Sequence, residues 1–505
     1  MDKDSSFDII IVGLGPVGAL MANLLGQFGL SILVIERTRN IHPFPRAIHF
    51  DGEIMRVFQN AGLASSVKKI ARSTYKGMHF IGSKNETLLV RKGVKGVGDQ
   101  GWENNWYFFQ PELEKVLREG LQRHPNVTVR LGETVTKIKR NKSKMNLFTE
   151  AESSENYRQY EGSWIIGCDG AKSLVSKCIS SEFEDLGLDE QWLVVDLKIR
   201  KGSLRARKLP DYTIQYCDPE RPMTSCYINS LRRRWEIMIM PTDEILKMNN
   251  EKFIWSILKP WLCPEDAEIE RAQIYTFHSI IKKFWSKKNI VLAGDSAHQS
   301  PPFLGQGLCA GIRDVSALAW RLRLVVEGKA CPQTIDSYAN ERKSHVREFI
   351  DLAVNCGKII KSGDQQIIEK YFNQGNNDKK GIFNFPKPQL GLGDWVMGDP
   401  PLGQISPQFL DDEGSRSDDC APYKFILYER VQLNMQVSEN YRKILDYWDV
   451  RIVIACREVA KWLDFLNANA ALVRPDRYLY GVAKDFQGVI RLITHFENAM
   501  TTIKA

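Results

Sequence analysis

A chain of 505 residues with 43% hydrophobic and 26% charged residues is a folded globular protein of two or three domains, not a disordered or fibrous one. Its net charge of +8 is modest for this length and its Lys and Arg are dispersed, which sets aside a nucleic-acid surface and suits an anionic small ligand. The ten cysteines form no CxxC or zinc spacing and the eight histidines no HExxH, so no metal site is expected; with no signal peptide ahead of the first strand, the reading is free thiols in a reducing, cytoplasmic setting.

Apart from Asp8, Phe7–Val12 is an apolar, β-branched run of strand length, and Gly13-x-Gly15-x-x-Gly18 follows at once. Ala19–Phe28 reads as a helix with Gly29 as its stop, and Ser31–Ile35 as a second buried strand leading into Glu36. This order of strand, turn, helix and strand binds a dinucleotide. Gly13 makes the tight turn, Gly15 admits a pyrophosphate, and Gly18 lets helix and strand pack closely, with the helix N-terminus facing the phosphates. Glu36, 18 residues after Gly18, stands where a carboxylate accepts both ribose hydroxyl hydrogens. Gly and Pro punctuation argues against a membrane span over the uncharged stretch Ile9–Ile35. A second match, Gly96-x-Gly98-x-x-Gly101, opens no helix and reads as a loop.

Pro43 and Pro45 make the next segment extended, and they leave Arg46 at a loop end near the cofactor phosphates. His49 and Asp51 precede a helix from about Glu53 to Asn60, where Asp51 is also a natural N-cap. Residues 72–103 look like β segments. Gln110 and Pro111 open a helix to about Gln122, Val127–Leu131 and Val135–Ile138 are strands, and Trp164–Cys168 is a buried strand ending in Asp169-Gly170. From Leu186 to Phe277 the pattern is a mostly antiparallel sheet with a helix at Phe253–Leu262; Arg232–Arg234 within it read as a solvated or ligand-facing edge, with contact to a substrate carboxylate as the functional alternative. Asn289–Ala293 is a strand ending in Gly294-Asp295, and a glycine-rich stretch leads to a helix burying Val315, Leu318, Ala319 and Leu322. Gly381–Gln404 reads as a linker, and 405–505 as a small α/β unit with strands at Arg451–Ala455 and Tyr478–Val482 and a closing helix around Phe486–Ile493.

GLGPVG with Glu36, GCDGAKS and LAGDSAHQSPPFLGQGL, in that order, resemble the FAD-dependent aromatic hydroxylases, single-component flavoprotein monooxygenases typified by 4-hydroxybenzoate hydroxylase. The runs from Pro45 to Leu63 and from Gly294 to Leu322 look most like the 3-(3-hydroxyphenyl)propionate hydroxylase branch. The resemblance implies an α/β fold with three parts. A Rossmann-type FAD-binding domain would span 1–75, 104–182 and 278–380, an inserted mostly antiparallel β substrate domain 76–103 and 183–277. After the linker 381–404, a thioredoxin-like C-terminal domain without CxxC would span 405–505. It places Gly13, Gly15, Pro16, Val17 and Gly18 at the pyrophosphate, Glu36 and Arg37 at the ribose, and Arg46 and Gln110 in contact with FAD. Gly294 and Asp295 would meet the ribityl chain, and Pro302, Gly305, Gln306, Gly307 and Leu308 the flavin ring. Asp169 and Gly170 would serve both FAD and the nicotinamide cofactor. The family pattern places an Arg where Ser176 stands, with Lys177 as the candidate replacement.

The chemistry implied is reduction of FAD by NADH or NADPH, reaction with O2 to a flavin C4a-hydroperoxide, and hydroxylation of a small phenolic substrate. The chain must steady the anionic reduced flavin, exclude water and help deprotonate the phenol. Candidates for that last task are His49 and Asp51, then Tyr227 and Tyr107, each with a structural alternative; His298 reads as scaffold. The alternatives are an epoxidase or reductase on the same scaffold, or a non-catalytic FAD-binding protein. A halogenase is disfavoured because no WxWxIP occurs. No nucleic-acid partner or membrane anchor is expected, and a homodimer through the FAD-binding layer is one expected assembly.

Overall fold

Five parallel strands form the frame of the cofactor layer. In the computed structural model, which describes residues 6–151, 157–372, 381–410, 413–430 and 439–502, Val127–Leu131, Ile32–Glu36, Ser6–Val12, Tyr157–Gly167 and Ile290–Leu292 lie side by side in that order. The outermost residues of the expected segments, at 1–5, 373–380 and 503–505, lie outside the described residues. The hairpin Glu133–Asn141 and Lys144–Ala151 pairs against Tyr157–Gly167, completing an eight-stranded sheet with Ser286–Lys287. Helices Pro16–Gly26 and Gly307–Val326 pack together over this layer, which is why its strands are near-continuous Val, Ile and Leu runs. The connections after Val12 and Gly167 diverge to opposite sides, so a crevice opens at the carboxyl ends of these two neighbouring strands. The first helix starts at Pro16 and ends at Gly26, earlier than the apolar run suggests; Gly29, with φ of +72°, turns the chain toward the second strand instead of closing the helix.

A nine-stranded sheet forms the second layer, built around Phe183–Ile199 and Ala267–Lys282. Strands Met78–Gly82 and Thr87–Arg91 join it through Thr213–Cys217, and His298–Gln299 and Ile382–Phe383 supply its edges. Its covering helix, Glu251–Leu258, is shorter than the expected Phe253–Leu262. Segment 381–404 is packed rather than free. Beyond its edge strand, Leu390 and Trp395 are buried, and Asp394 pairs with Arg321 at 3.3 Å.

Arg232–Arg234 are not a solvated edge either. Arg233 donates to the carbonyls of Pro210 and Leu209 at 2.8 and 3.0 Å, and Arg234 pairs with Asp196 at 2.8 Å. Arg234 also donates to the carbonyls of Pro45 and Arg46, so this charge ties the second sheet to the loop before His49. Arg232 pairs with Glu270 at 3.1 Å. Every one of the three is committed within the protein.

The tail carries strands Phe425–Glu429, Val450–Ile454, Ala470–Val473 and Leu479–Ala483 in the sheet order second, first, third, fourth, with helices Glu439–Tyr447, Arg457–Phe465 and Phe486–Thr501. That is the thioredoxin-like arrangement. It is riveted to the cofactor layer by Asp418, which accepts from Arg56 at 2.7 Å and from Arg477 at 2.8 Å, all three buried. Burial alone would raise the Asp418 carboxyl; the two guanidiniums more than offset this and hold it at about 2. Asp418→Ala leaves two buried cations without their shared anion, and thermal unfolding is expected to show a loss of about 3–5 kcal/mol.

Candidate functional site

The crevice is built from close backbone approaches. Gly13 has φ of +100°, and a Cβ there would stand 2.4 Å from the carbonyl oxygen of Cys168. A Cβ on Gly18 would stand 2.0 Å from the carbonyl of Gly13. Gly15 precedes the helix with open space around its Cα and no side chain capping the helix N-terminus, and Pro16 occupies the first turn. Free N–H groups and room for a ligand therefore meet at the positive end of a helix. Val17 points away from this space, packing toward Gly294 and Gly311. Glu36 closes the far end, its Oε2 accepting from the Leu14 N–H at 2.8 Å and its Oε1 from Thr38. Arg37 and Arg46 are exposed beside it. Gln110 also holds the neighbouring backbone. Its Oε1 accepts from the N–H groups of Arg46 and Ala47 at 2.8 and 2.7 Å, so it shapes the Arg46 loop.

On the other side of the crevice, Asp169 accepts from Ser173 Oγ at 2.5 Å and from the Leu174 N–H at 2.8 Å, capping helix Leu174–Ile179, while Gly170 has φ of +79° and open space beside it. Ser176 is buried within that helix and Lys177 is exposed, near enough to Lys282 to add to the lowering that burial imposes on that amine. The Gly294-Asp295 turn is held from behind. Asp314, fully buried, accepts from the Gly294 N–H at 3.0 Å, from His298 at 2.7 Å and from Arg342 at 3.0 Å. His298 is thus scaffold. Asp295 itself is solvent-accessible, yet dense surroundings raise its carboxyl above the ordinary value. These features fit FAD: a turn at Gly13 and Gly18 that tolerates no Cβ, open space at Gly15 before an uncapped helix N-terminus, and a carboxylate at each expected sugar.

Beyond Asp295 the loop Pro302–Leu304 turns at Gly305, with φ of +63°, into helix Gly307–Val326, whose N-terminus no side chain caps. Gly307 has nothing within 4 Å of its Cβ direction, and Leu308 follows half-buried. The loop is fastened from two sides. Gln215 in the second sheet donates to the carbonyl of Phe303 at 3.1 Å, and Gln306 donates to Asp51 at 3.3 Å while accepting from Arg313 at 2.9 Å.

Facing Gly305 is a small sheet of strands His49–Asp51, Asn105–Phe108 and Ala71–Ser73. Its alternation separates two faces. Phe50, Trp106 and Phe108 stack into the core, whereas His49, Asp51, Asn105, Tyr107 and Arg72 share the opposite face. His49 is buried. Its Nε2 bonds Asn105 Oδ1 at 3.2 Å, its ring meets Tyr107 edge-on with centroids 5.7 Å apart, and its Nδ1 has no hydrogen-bond partner. A Cβ on Gly305 would lie 3.3 Å from that Nδ1. Burial, then the nearby Arg91 cation, holds the imidazole down to about 4.

Asp51 lies on the same face but is already engaged. It caps helix Gly52–Asn60 and receives Arg313 Nη2 at 2.6 Å; burial would raise its carboxyl, and Arg313 brings it below the ordinary value. A paired, ionised helix cap is poorly placed to take a substrate proton. Tyr107 exchanges hydrogen bonds with Thr213, and burial raises its hydroxyl. Tyr227 lies half-buried with its ring between two guanidiniums, Arg72 at 4.5 Å and Arg233 at 4.9 Å. Sequence reasoning missed Arg91, Asn105, Gln215 and Arg313. The signal for Arg91 was present, because in Thr87–Arg91 it shares the inward face with Leu89, an unusual place for a charge.

The family described as FAD binding domain matches residues 6–353. A probable NADH-specific resorcinol 4-hydroxylase of Rhodococcus jostii (strain RHA1) is 30% identical over 501 residues, covering 95% of this chain and 92% of that protein. A 3-(3-hydroxy-phenyl)propionate/3-hydroxycinnamic acid hydroxylase of Burkholderia cenocepacia (strain HI2424) is 34% identical, covering 93% of each chain. Among solved structures, the flavin-dependent monooxygenase PieE with FAD and substrate superposes with a TM-score of 0.82 at 17% identity, over 98% of this chain and 99% of that one. Aklavinone-11 hydroxylase with FAD and aklavinone gives 0.81 at 18%, over 98% and 100%.

Two outcomes follow from this geometry. Gly18→Ala drives a methyl into the Gly13 carbonyl, and flavin absorbance per mole of purified protein is expected to drop to a tenth or less of the wild-type value. As pH falls from 6.5 toward about 4, the unfolded chain takes up a proton that native His49 refuses, so folding stability declines across that window. His49→Asn should flatten the decline in urea titrations at stepped pH.

Proposed function

Because this chain belongs to the FAD-binding-domain family of flavin-dependent aromatic hydroxylases, we propose that the His49 face, set against the Gly305–Gly307 loop, is where its aromatic substrate is hydroxylated. The protein is an FAD-dependent monooxygenase that acts on a phenolic compound with a reduced nicotinamide and O2. Bound FAD supplies the redox chemistry, taking hydride from the nicotinamide and activating oxygen for transfer to the ring. The residues of the chain do the rest.

Gly13, Gly15, Gly18, Glu36, Asp169 and Asp295 hold the cofactor, and Arg46 approaches it through the loop that Gln110 shapes. The uncapped N-terminus of helix Gly307–Val326 offers its N–H groups to negative charge developing on the reduced ring system. The nine-stranded sheet and Phe303 keep water from the reacting ring. His49 Nδ1 is the proton acceptor. With an imidazole held near 4, it accepts a hydrogen bond from the neutral phenol, and it takes the proton only once attack on the ring has made that hydroxyl acidic. Asp51, held by Arg313, and Tyr107, held by Thr213, fix the walls around it, and Tyr227 with Arg72 borders the outer end of the same face. The observation that carries this reading is the buried, unpartnered Nδ1 beside Gly305.

NADH is the proposed reductant, supported by the specificity in the name of the Rhodococcus relative. A resorcinol or 3-hydroxyphenyl-alkanoate is the proposed substrate type, supported by the names of both relatives. A reducing, cytoplasmic setting is proposed from the ten cysteines, all free thiols. Among the described residues no helix is long and apolar enough to cross a membrane.

The test is oxidation of NADH and NADPH by the flavin-loaded protein with a panel of phenols, with hydroxylated product quantified. One phenol should stimulate NADH oxidation with product matching reductant. His49→Ala should then lower the hydroxylation rate about 10²-fold and divert reductant to hydrogen peroxide. Asp51→Asn should cost stability and cofactor retention more than turnover once loaded. Full coupling in His49→Ala would overturn the assignment of His49.

A further inference from the structure

The Nε2 side of His49 ends on a buried charge. Asn105 Oδ1 receives His49 Nε2 at 3.2 Å and Arg91 Nη2 at 2.7 Å. Arg91 is 2% exposed, and among the described residues no carboxylate forms an ion pair with it; its Nη1 has no partner, and its guanidinium stacks on Phe385 at 5.1 Å. A lone buried cation costs the fold stability, so its position calls for a reason.

The donor rules supply one. A guanidinium has no acceptor, so the Asn105 atom facing Arg91 must be the amide oxygen. That oxygen can only accept, so the His49 nitrogen meeting it must carry hydrogen. We propose that Arg91 is a positioning residue for the hydroxylation. Acting through Asn105, it fixes His49 as the Nε2–H tautomer, neutral, with Nδ1 bare toward the flavin loop. The inference rests on His49 being the proton acceptor and adds how the acceptor is kept in that state. Without Arg91 the amide could flip and donate to Nε2, which would put hydrogen on Nδ1 and leave the wrong face toward the substrate.

The groups around the ring agree with this arrangement. Arg91 approaches from strand Thr87–Arg91, and Asn105 and Tyr107 from the neighbouring strand. Asp51 on the same strand as His49 is drawn off by Arg313, and from the loop side there is Gly305, with Cys309 Sγ 3.8 Å behind its carbonyl. Burial first and the Arg91 cation second oppose protonation of His49, and together they outweigh the opposite pulls of Asp51, Asn105 and the Gly305 backbone.

The test uses flavin-loaded enzyme and three variants: Arg91→Lys, Arg91→Met and Asn105→Asp. The pH profile of phenol hydroxylation (kcat/KM) is recorded for each, with ¹⁵N-histidine spectra assigned by His49→Asn. Wild type should show the Nε2–H tautomer and an acid limb below about pH 5. Arg91→Met and the near-isosteric Asn105→Asp should each move that limb up by about one pH unit or more, and Arg91→Lys should leave it in place. Arg91→Met should also mix the tautomers. An unmoved limb and unchanged His49 spectra in Asn105→Asp would overturn the proposal even if Arg91→Met fails to fold. If His49→Ala stays fully coupled, the acceptor assignment is what has failed, whereas loss of coupling there with an unmoved limb in the Arg91 and Asn105 variants refutes this inference alone.

Discussion

One buried guanidinium joins the parts of this molecule. Arg313, on the helix that begins at the flavin loop, reaches Asp51 at 2.6 Å, Glu53 at 2.7 Å and Gln306 at 2.9 Å. Those contacts lock together the end of the His49 strand, the start of the next helix and the loop facing the flavin. Glu53 in turn receives the Tyr478 hydroxyl from the tail at 3.2 Å. A charge in so dry a place demands full compensation, and compensation by two carboxylates and an amide is directional. Loop, strand and helix therefore cannot shift independently, which is what a site needs if a ring and an acceptor are to meet within a few tenths of an ångström.

The same economy governs the other charges. Arginines that look from the sequence like a basic surface are used inside: Arg234 under the Pro45 loop, Arg233 against Tyr227, Arg56 and Arg477 around Asp418. Buried carboxylates such as Asp196, Asp314, Glu341 and Asp418 accompany them, so the interior is charged in both signs. What remains exposed near the crevice is Arg37 and Arg46, close to where an anionic cofactor lies.

The cofactor layer was legible because its chemistry is local. The glycines at 13, 15 and 18, the acid at 36 and the Gly294-Asp295 turn each do their work within a few residues of sequence, and backbone crowding forces the residue type. Helix limits slipped by two to four residues, as at Gly26 and Leu258, where tertiary packing and not the apolar run sets the end. The reacting side was only half legible. His49 and Asp51 stand out, but which of them is free depends on Arg313, 262 residues from Asp51. Gln110 reads as a ligand contact, and its clamp on the backbone of residues 46 and 47 is not legible, because those partners come from a loop whose path no local pattern encodes. The arginine run at 232–234 lies in a strand paired on both sides, by Phe183–Ile199 and Met223–Asn229, so it is no edge.

The reach of the tail has a consequence for how the polypeptide is made. Arg477 bonds Asn60 and Asp418, and Tyr478 touches Glu53, so helix Gly52–Asn60, among the first segments to leave a ribosome, waits for some of the last. Until Asp418 emerges Arg56 lacks its anion, and until Tyr478 follows Glu53 lacks its hydroxyl partner, while the five-stranded sheet can already form around strands 6–12 and 32–36. A nascent chain would thus hold a formed phosphate cradle beside an unfinished floor. Synthesis order is then also an order of competence, in which the ability to grip the nucleotide half of the cofactor precedes the ability to seat its reactive ring.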